Sequence, residues 1–304
     1  MGEPFKSGFV SLVGRPNSGK STLLNALVGQ KVAIVADKPQ TTRTSIQGVV
    51  TLPHAQIVFV DTPGIHKADS QLNKRLMDTV RASLEERDLL LFLVDAAQPF
   101  SVEDEQAVAL VRKTGTPVVL VLNKVDLLRD KARLLPLIDR YKAIYDFADY
   151  VPVSAIKGKG LDELRTVILA HLPEGPAYFP EDHVTDQPER FLAAELVREK
   201  VLAATRQEVP HSVAVVVDRW EETPKLKRIY ATIRVERPGQ KAIVIGTKGA
   251  MLKKIGTLAR LEMERLFGVR IYLDLHVRVQ PGWREQAAFL NALDWRTMAV
   301  EDDT

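Results

Sequence analysis

"GRPNSGKS", Gly14 to Ser21, stands between the apolar run "GFVSLV" and the stretch "STLLNALVG". Its pattern is G-x-x-x-x-G-K-[ST] with a strand before it and a helix after it, the context in which such a loop cradles phosphate. A glycine-rich turn directs backbone N–H groups inward as an anion nest. Lys20 then reaches the terminal phosphates as a point charge, and the Ser21 hydroxyl is placed to coordinate magnesium. Strand, phosphate loop and helix form the first unit of an α/β domain, and the next residues continue it. "QIVFVDTPG", "DLLLFLVDAA", "PVVLVLNKVD" and "DYVPVSA" are short runs rich in Val, Ile and Leu, separated by amphipathic stretches. Strands of a mostly parallel sheet, buried on both faces, read this way.

Each later motif sits just past one of these strands, at the sheet edge where ligands of open α/β folds collect. "DTPG", Asp61 to Gly64, offers Asp61 as an indirect magnesium holder, with Thr62 and Pro63 between it and Gly64, whose N–H can meet the γ-phosphate. In "NKVD", a carboxylate at Asp126 can accept both the ring N–H and the exocyclic amine of guanine, a pairing adenine does not offer. Asn123 would tie this loop to the phosphate loop, and Lys124 would lie along the base. "SAIKG" presents Ser154, Ala155 and Ile156, with the Ala155 N–H facing the guanine oxygen. Between the first two motifs, "DKPQTTRTS" lacks any regular period, as expected of a loop ordered by a γ-phosphate. Thr42 is its favoured magnesium and γ-phosphate ligand, with Thr41 the alternative. The nucleotide set is therefore Gly14, Arg15, Pro16, Asn17, Ser18, Gly19, Lys20, Ser21 and Thr22, together with the residues of the later motifs.

The chain has 304 residues and no cysteine. That length suits two domains. Disulfides, zinc sites and thiol catalysis are taken as excluded, and a reducing cytosol is allowed. No run approaches the roughly 20 apolar residues of a membrane span and Met1 to Ser7 has no signal-peptide core, so a soluble protein is expected. "LPEGPAYFPEDHVTDQPE", with four prolines among acids and turn formers, reads as a linker. After it, "RFLAAELVREKVLAATRQ" has Leu192, Leu196, Val197 and Val201 at helical spacing, and "LKRIYATIRVE" alternates Ile229, Ala231, Ile233 and Val235 with Tyr230, Thr232 and Arg234. A long helical pattern and a last alternating strand complete a small α+β domain. From Thr223 to Arg270, twelve Lys and Arg face three Glu, a local excess suited to a polyanion such as nucleic acid. In the same window "IVIGTKGAMLKKIG" holds Gly246 and Gly249 around Thr247 and Lys248. That pair fits a phosphate contact or a plain tight turn.

The five motifs, in this order, resemble those of the translation-factor-related GTPases. Their pairing with "AIVIGTKGAMLKKIGTLARLEMERLFG" is similar to the bacterial Era GTPases, and the likeness extends through "KPQTTR", "DTPGIH", "QPERFLAAELVREKVL", "EVPHS" and the "REQ" after Trp283. The resemblance implies a P-loop GTPase domain with helices on both faces of its sheet over 1–172, a linker at 173–189, and a smaller type II KH domain with a C-terminal extension over 190–304. It implies that "KAIVI", strand-like by its branched residues, is a short helix, since short apolar runs cannot be told apart by period. It implies GTP hydrolysis with Mg2+ and a ligand, the single-stranded 3′ end of small-subunit ribosomal RNA, bound while the small subunit matures. Gly246, Thr247, Lys248 and Gly249 would clamp that strand, with Lys253 nearby and Ile243 and Ile245 flooring the groove for bases. A cytoplasmic monomer without DNA is expected. Family membrane association leaves a weak peripheral contact with the plasma membrane, and a role in cell-cycle control, as a second reading. An RNA-binding module with a vestigial GTPase is a third.

Catalysis falls to Lys20, Thr42, Gly64 and Asn17. Many small GTPases place a water-orienting glutamine directly after D-x-x-G; here that position is Ile65, so a slow intrinsic rate is expected. Asn17 resembles the residue of potassium-activated GTPases, in which K+ supplies charge. His66 and Lys67 are more simply solvated loop residues, and His183, His211 and His276 have no metal-ligand spacing.

Overall fold

The computed structural model describes residues 4–38, 40–65, 70–206 and 209–295. It divides into two compact units. The first takes in the described residues of Met1–Ala33, Thr42–Lys67 and Arg75–Asp186, and the second those of Ile34–Thr41, Ala68–Lys74 and Gln187–Thr304.

The first unit is built on strands β1 (Lys6–Gly14), β2 (Ile46–Leu52), β3 (Ala55–Asp61), β4 (Leu89–Asp95), β5 (Val118–Asn123) and β6 (Asp149–Pro152). They lie in the order β2-β3-β1-β4-β5-β6, all parallel except for β2 against β3. Helices α1 (Lys20–Val28), α2 (Gln71–Ala82, of which residues from Arg75 on belong to this unit), α3 (Val102–Val111), α4 (Leu134–Lys142) and α5 (Leu161–His171) complete it. Alternation along a strand decides which face each residue serves. Leu89, Leu91 and Leu93 of β4 pack with Leu23, Leu24 and Leu27 of α1 and Leu164 and Ile168 of α5. Leu90, Phe92 and Val94 pack instead with Ala107, Val108 and Val111 of α3 and Tyr141 of α4. Both faces are therefore covered, as the uninterrupted apolar runs require. Strand β2 does not stand out in the sequence, because Gly48 and two polar residues dilute its short run; it is recruited by its two-residue hairpin to β3.

The proline-rich stretch read as a linker over 173–189 is bound down along most of its length. Ser7 N donates to the Pro173 carbonyl at 3.1 Å and Val49 N to the Val184 carbonyl at 2.8 Å, while Tyr178 N and Phe179 N both donate to Gln56 Oε1 at 2.7 and 2.9 Å. Prolines cannot donate to a ladder, but their carbonyls still accept. The segment is an extended strap on the first unit, which runs on to Asp186.

The second unit contains α6 (Glu189–Ala204), β7 (Ala214–Thr223), β8 (Leu226–Val235), α7 (Pro238–Ile245), α8 (Ala250–Phe267), β9 (Arg270–Val279) and α9 (Ala287–Ala292). Its sheet has the order β7-β8-β9, with β8 antiparallel to β7 and parallel to β9. Ile229, Ala231, Ile233 and Val235 are buried against Leu192, Leu196, Val197 and Val201 of α6 and Ile255, Ala259 and Met263 of α8. "KAIVI" is helical here. Pro238 opens α7, Gln240 Oε1 accepts from the backbone N–H groups of Glu236 and Arg237 at 2.9 and 3.0 Å, and Gly246 ends it. Caps at both ends decide a short segment whose four apolar residues have an ambiguous period alone.

One loop segment belongs to this unit although the phosphate loop precedes it in the chain. Ile34 lies in the second unit's core, and Val35 N donates to Glu199 Oε1 at 2.8 Å. Arg198, 1 % exposed, is paired with Glu195 and donates to the carbonyls of Gln40 and Thr41. A buried guanidinium is tolerated only when its donors are met in this way. No helix among the described residues is long and apolar enough to cross a membrane.

Candidate functional site

The sheet edge at the end of β1 brings the phosphate-loop residues together. Gly19, at φ 96°, lies so close to β5 that a methyl group there would sit 2.3 Å from Asn123 Nδ2. That amide donates to the Ser18 carbonyl at 2.9 Å, which ties the loop after β5 to the phosphate loop. Lys20 Nζ donates to the carbonyls of Gly14 and Arg15 at 3.1 and 2.8 Å. Burial lowers its pKa from 10.5 to about 8, opposed by the nearby Asp61 carboxylate. The Arg15 guanidinium points away, to Ser101 Oγ at 2.9 Å and Asp104 Oδ2 at 2.8 Å. Only its backbone is left for a phosphate.

Three oxygens converge beside Lys20. Ser21 Oγ donates to Asp61 Oδ2 at 2.6 Å and lies 2.8 Å from Thr42 Oγ1, which is 3.1 Å from the same carboxylate oxygen. Asp61 is fully buried. Burial raises its pKa, against the pull of Lys20 and the hydrogen bonds from Ser21 and Thr42. Its other oxygen, Oδ1, is buried without a hydrogen-bond partner among the described residues. A hard-oxygen set with an orphaned carboxylate oxygen fits Mg2+, held directly by the hydroxyls or through water. Thr41 is turned elsewhere, its hydroxyl donating to the carbonyls of Lys38 at 2.6 Å and Ala36 at 3.2 Å.

At Gly64 a side chain would meet the Pro16 backbone at 2.8 Å, and Ile65 N donates to the Gly14 carbonyl at 3.3 Å. The D-x-x-G turn thus lies against the phosphate loop. Thr62 is buried, its hydroxyl donating to the Leu12 carbonyl at 2.8 Å; it holds the strand end. Ile65 is partly buried against the core cluster that includes Val13 and Phe92. His66 and Lys67 lie outside the described residues.

At the base end, Lys124 adopts φ 65°, and its ammonium donates to the Asn17 carbonyl at 2.7 Å and to Asp95 Oδ2 at 2.8 Å. Ser154 Oγ donates to Asp126 Oδ1 at 2.5 Å, orienting the carboxylate. Ala155 N donates to Asn123 Oδ1 at 3.1 Å, so the N–H read as a guanine contact is shared with the loop's own amide. Ile156 is 72 % exposed beside them. Asp95 and the Ser101–Asp104 capping box that holds Arg15 were missed by the sequence reading. "SVED" does carry the box's S-x-x-D signature, whereas nothing local marks Asp95.

In the second unit, the turn Gly246–Gly249 joins α7 to α8. Gly246 has φ 71° and ψ 175°, Lys248 φ 51° and Gly249 φ 79°. Thr247, Lys248 and Lys253 are exposed. Ile243 is exposed beside them and Ile245 half-buried, while Val244 between them is in the core. The basic window is less uniform than its count. Lys227 is buried, its ammonium over the rings of Trp220 and Phe267 and paired with Glu189 and Glu222. Its charge is consumed inside the unit.

Comparison with known proteins agrees with this geometry. Residues 9–124 match the family described as "50S ribosome-binding GTPase", and 208–284 match the KH domain family. The chain is 50 % identical over 294 residues to the GTPase Era of Geobacter metallireducens, covering 96 % of this chain and 98 % of that one. It is 49 % identical over 288 residues to the GTPase Era of Syntrophus aciditrophicus, covering 94 % of each. Two solved structures superpose with a TM-score of 0.92 at 43 % identity, covering 96 % of this chain and 99 % of theirs. One is an Aquifex aeolicus Era variant bound to GDP·AlF4−, the other Era in complex with MgGDPNP and nucleotides 1506–1542 of 16S ribosomal RNA. A phosphate loop, a guanine-reading loop and a KH unit in one chain, with identity of this extent, place the chain in the family of Era GTPases.

Proposed function

We propose that this GTPase is a nucleotide-operated RNA-binding switch, taking GTP or GDP with Mg2+ at the loop around Lys20 and the single-stranded 3′ end of small-subunit ribosomal RNA on its second unit, during assembly of the small subunit. The observation that carries the proposal is the presence in one chain of a complete phosphate and guanine constellation and an exposed Gly-x-x-Gly turn. The similar Era structure that holds MgGDPNP and 16S RNA nucleotides together supports it. The same reading makes the protein a cytoplasmic monomer. Crosslinking in ribosomal RNA, with GTP or GDP bound and sites mapped to the nucleotide, tests it. Crosslinks are expected at the 3′ end and stronger in one nucleotide state; their absence there overturns the partner assignment.

Ser21 and Thr42 would hold Mg2+ with Asp61 behind them, and the metal supplies charge neutralisation on the transferred phosphoryl group. Lys20 carries the same load from the protein side, and the Gly64 N–H meets the γ-phosphate. Ile65 cannot accept a proton or orient water, so the intrinsic rate is slow. The Asn17 side chain is exposed and makes no hydrogen bond among the described residues, which suits a K+ ligand at the phosphate loop. Turnover several-fold faster in potassium than in sodium buffer is expected, and Asn17→Asp should abolish the difference. Equal rates in both salts for the native chain rule out the cation.

The lowered pKa of Lys20 makes a second expectation. Below about pH 8 the group is charged in the folded and unfolded chain alike, and its burial costs stability. As pH rises from about 8 toward 10.5 the folded state loses the proton first, and that cost is relieved. Bound phosphates favour the charged form. GDP binding near pH 9 should therefore take up most of one proton, read by calorimetry in buffers of different ionisation enthalpy, and near pH 7 none should come from this group. Uptake unchanged in Lys20→Ala would assign it elsewhere.

A further inference from the structure

The second unit carries a cationic cavity at the end of α8 remote from its glycine turn. Helix α8 ends at Phe267 and β9 begins at Arg270, so the helix folds back along β9, an edge strand of the sheet. Two points fix this alignment. A methyl group on Gly256 would touch Leu275 at 3.4 Å, and further along, Glu264 Oε1 accepts from Ile271 N at 3.1 Å. The seam between α8 and β9 therefore begins near Gly249 and ends at a cavity of about 950 Å3 lined by Leu226, Arg228, Arg260, Glu264, Arg270 and Tyr272. Arg260 lies eleven residues past Gly249, about 16 Å along the helix axis.

The lining has the chemistry of a nucleotide subsite. Arg260 is fixed by Nη1 bonds of 2.8 Å to both oxygens of Glu264, which neutralises one charge and holds the guanidinium in place. Arg270 has no acid or hydrogen-bond partner among the described residues and is exposed. Arg228 is half-exposed, with Glu221 no closer than 3.8 Å. Tyr272 is 48 % exposed, with its ring 5.9 Å from that of Tyr230. The unpaired guanidinium of Arg270, with Arg228 in only a long contact to Glu221 beside it, suits phosphate oxygens, and an exposed, braced aromatic ring stacks a base. A Gly-x-x-Gly clamp holds about four nucleotides. The 16S fragment held by the similar Era structure, nucleotides 1506–1542, is far longer.

We propose that this cavity is a second RNA subsite, in which Arg228 and Arg270 hold a phosphate and Tyr272 stacks a base of a nucleotide lying beyond the four at the glycine turn. The proposal rests on the RNA-binding reading given above. It is tested with the full chain and two single-stranded RNAs, one of about five nucleotides and one with the same core extended at both ends to about twelve. Arg270→Glu and Tyr272→Ala are each expected to weaken the longer RNA about tenfold and leave the shorter unchanged. Arg270→Lys should restore most of the affinity, and Arg270→Ala should reduce the salt slope by about one. Unchanged binding of the longer RNA in both substitutions overturns the subsite, as does equal weakening of both RNAs. If the native chain binds neither RNA, the RNA-binding reading fails and this subsite with it; if it binds both and the variants do not discriminate, only the subsite fails.

Discussion

Lys20→Ala should weaken GTP and GDP by roughly 30-fold to several thousand-fold. Removing one partner of a desolvated, hydrogen-bonded charge pair costs about 2–5 kcal/mol, and each 1.4 kcal/mol is tenfold in affinity. The upper part of that range applies here because Lys20 is buried, so its charge acts on the phosphates with little screening by water. Equilibrium titration with a fluorescent GDP analogue reads the loss, and far-ultraviolet circular dichroism checks that the chain is folded. Affinity within threefold of native would remove Lys20 from the phosphate site. The same variant separates a switch from an RNA-binding module with a vestigial GTPase: if RNA affinity and cellular rescue both survive without GTP binding, the switch reading fails.

Gly249→Asp should reduce RNA affinity by about 30-fold or more while GTP binding stays native, because a carboxylate set at a phosphate clamp costs several kcal/mol of like-charge repulsion. Position 249 is the informative one of the pair. Nothing lies within 4 Å of a Cβ built there, and its φ of 79° is in the left-handed region that Asp tolerates better than most residues. At Gly246 a Cβ would meet the Met251 Cβ at 2.6 Å, with a backbone conformation that is essentially glycine-only. Gly246→Asp would disturb the turn itself, and the double substitution mixes packing with charge. Gel-shift titration against the ribosomal RNA 3′ end is the measurement. Native RNA affinity in Gly249→Asp would return the glycine pair to a plain turn between two helices.

The nucleotide site was readable from the chain because each of its motifs is short and each stands at the end of a long apolar run. A run such as "LLLFLV", short and one of several alternating with amphipathic stretches, reads as a strand buried on both faces, so the loop after it emerges at one edge of the sheet. Gly14, Gly19, Lys20, Asp61, Asn123 and Asp126 then meet without further information. Lys241 to Ile245 shows where this logic stops. Three β-branched apolar residues beside Lys241 and Ala242 fit either period, and the helix is set by Pro238 and Gln240 on one side and Gly246 on the other.

Long-range partners were not readable, since they depend on which strands become neighbours. β1 lies beside β4, and Arg15 pairs with Asp104, 89 residues away, so a phosphate-loop arginine faces a helix instead of a ligand. Lys227 counts as surface charge in the sequence and is buried on Glu189 and Glu222 in the fold. The prolines of 173–186 suggest a free tether, and the carbonyls of that stretch are fixed to β1 and β2. The sequence by itself determined the two domains, the guanine nucleotide chemistry and the glycine turn, because periodicity and backbone stereochemistry act over a few residues. The tertiary structure alone decided that the Thr42 hydroxyl and not that of Thr41 meets Asp61, that Lys20 is buried deeply enough to titrate near pH 8, and that three residues from β8, α8 and β9 gather into one cationic cavity, because desolvation and charge proximity exist only once distant segments have packed.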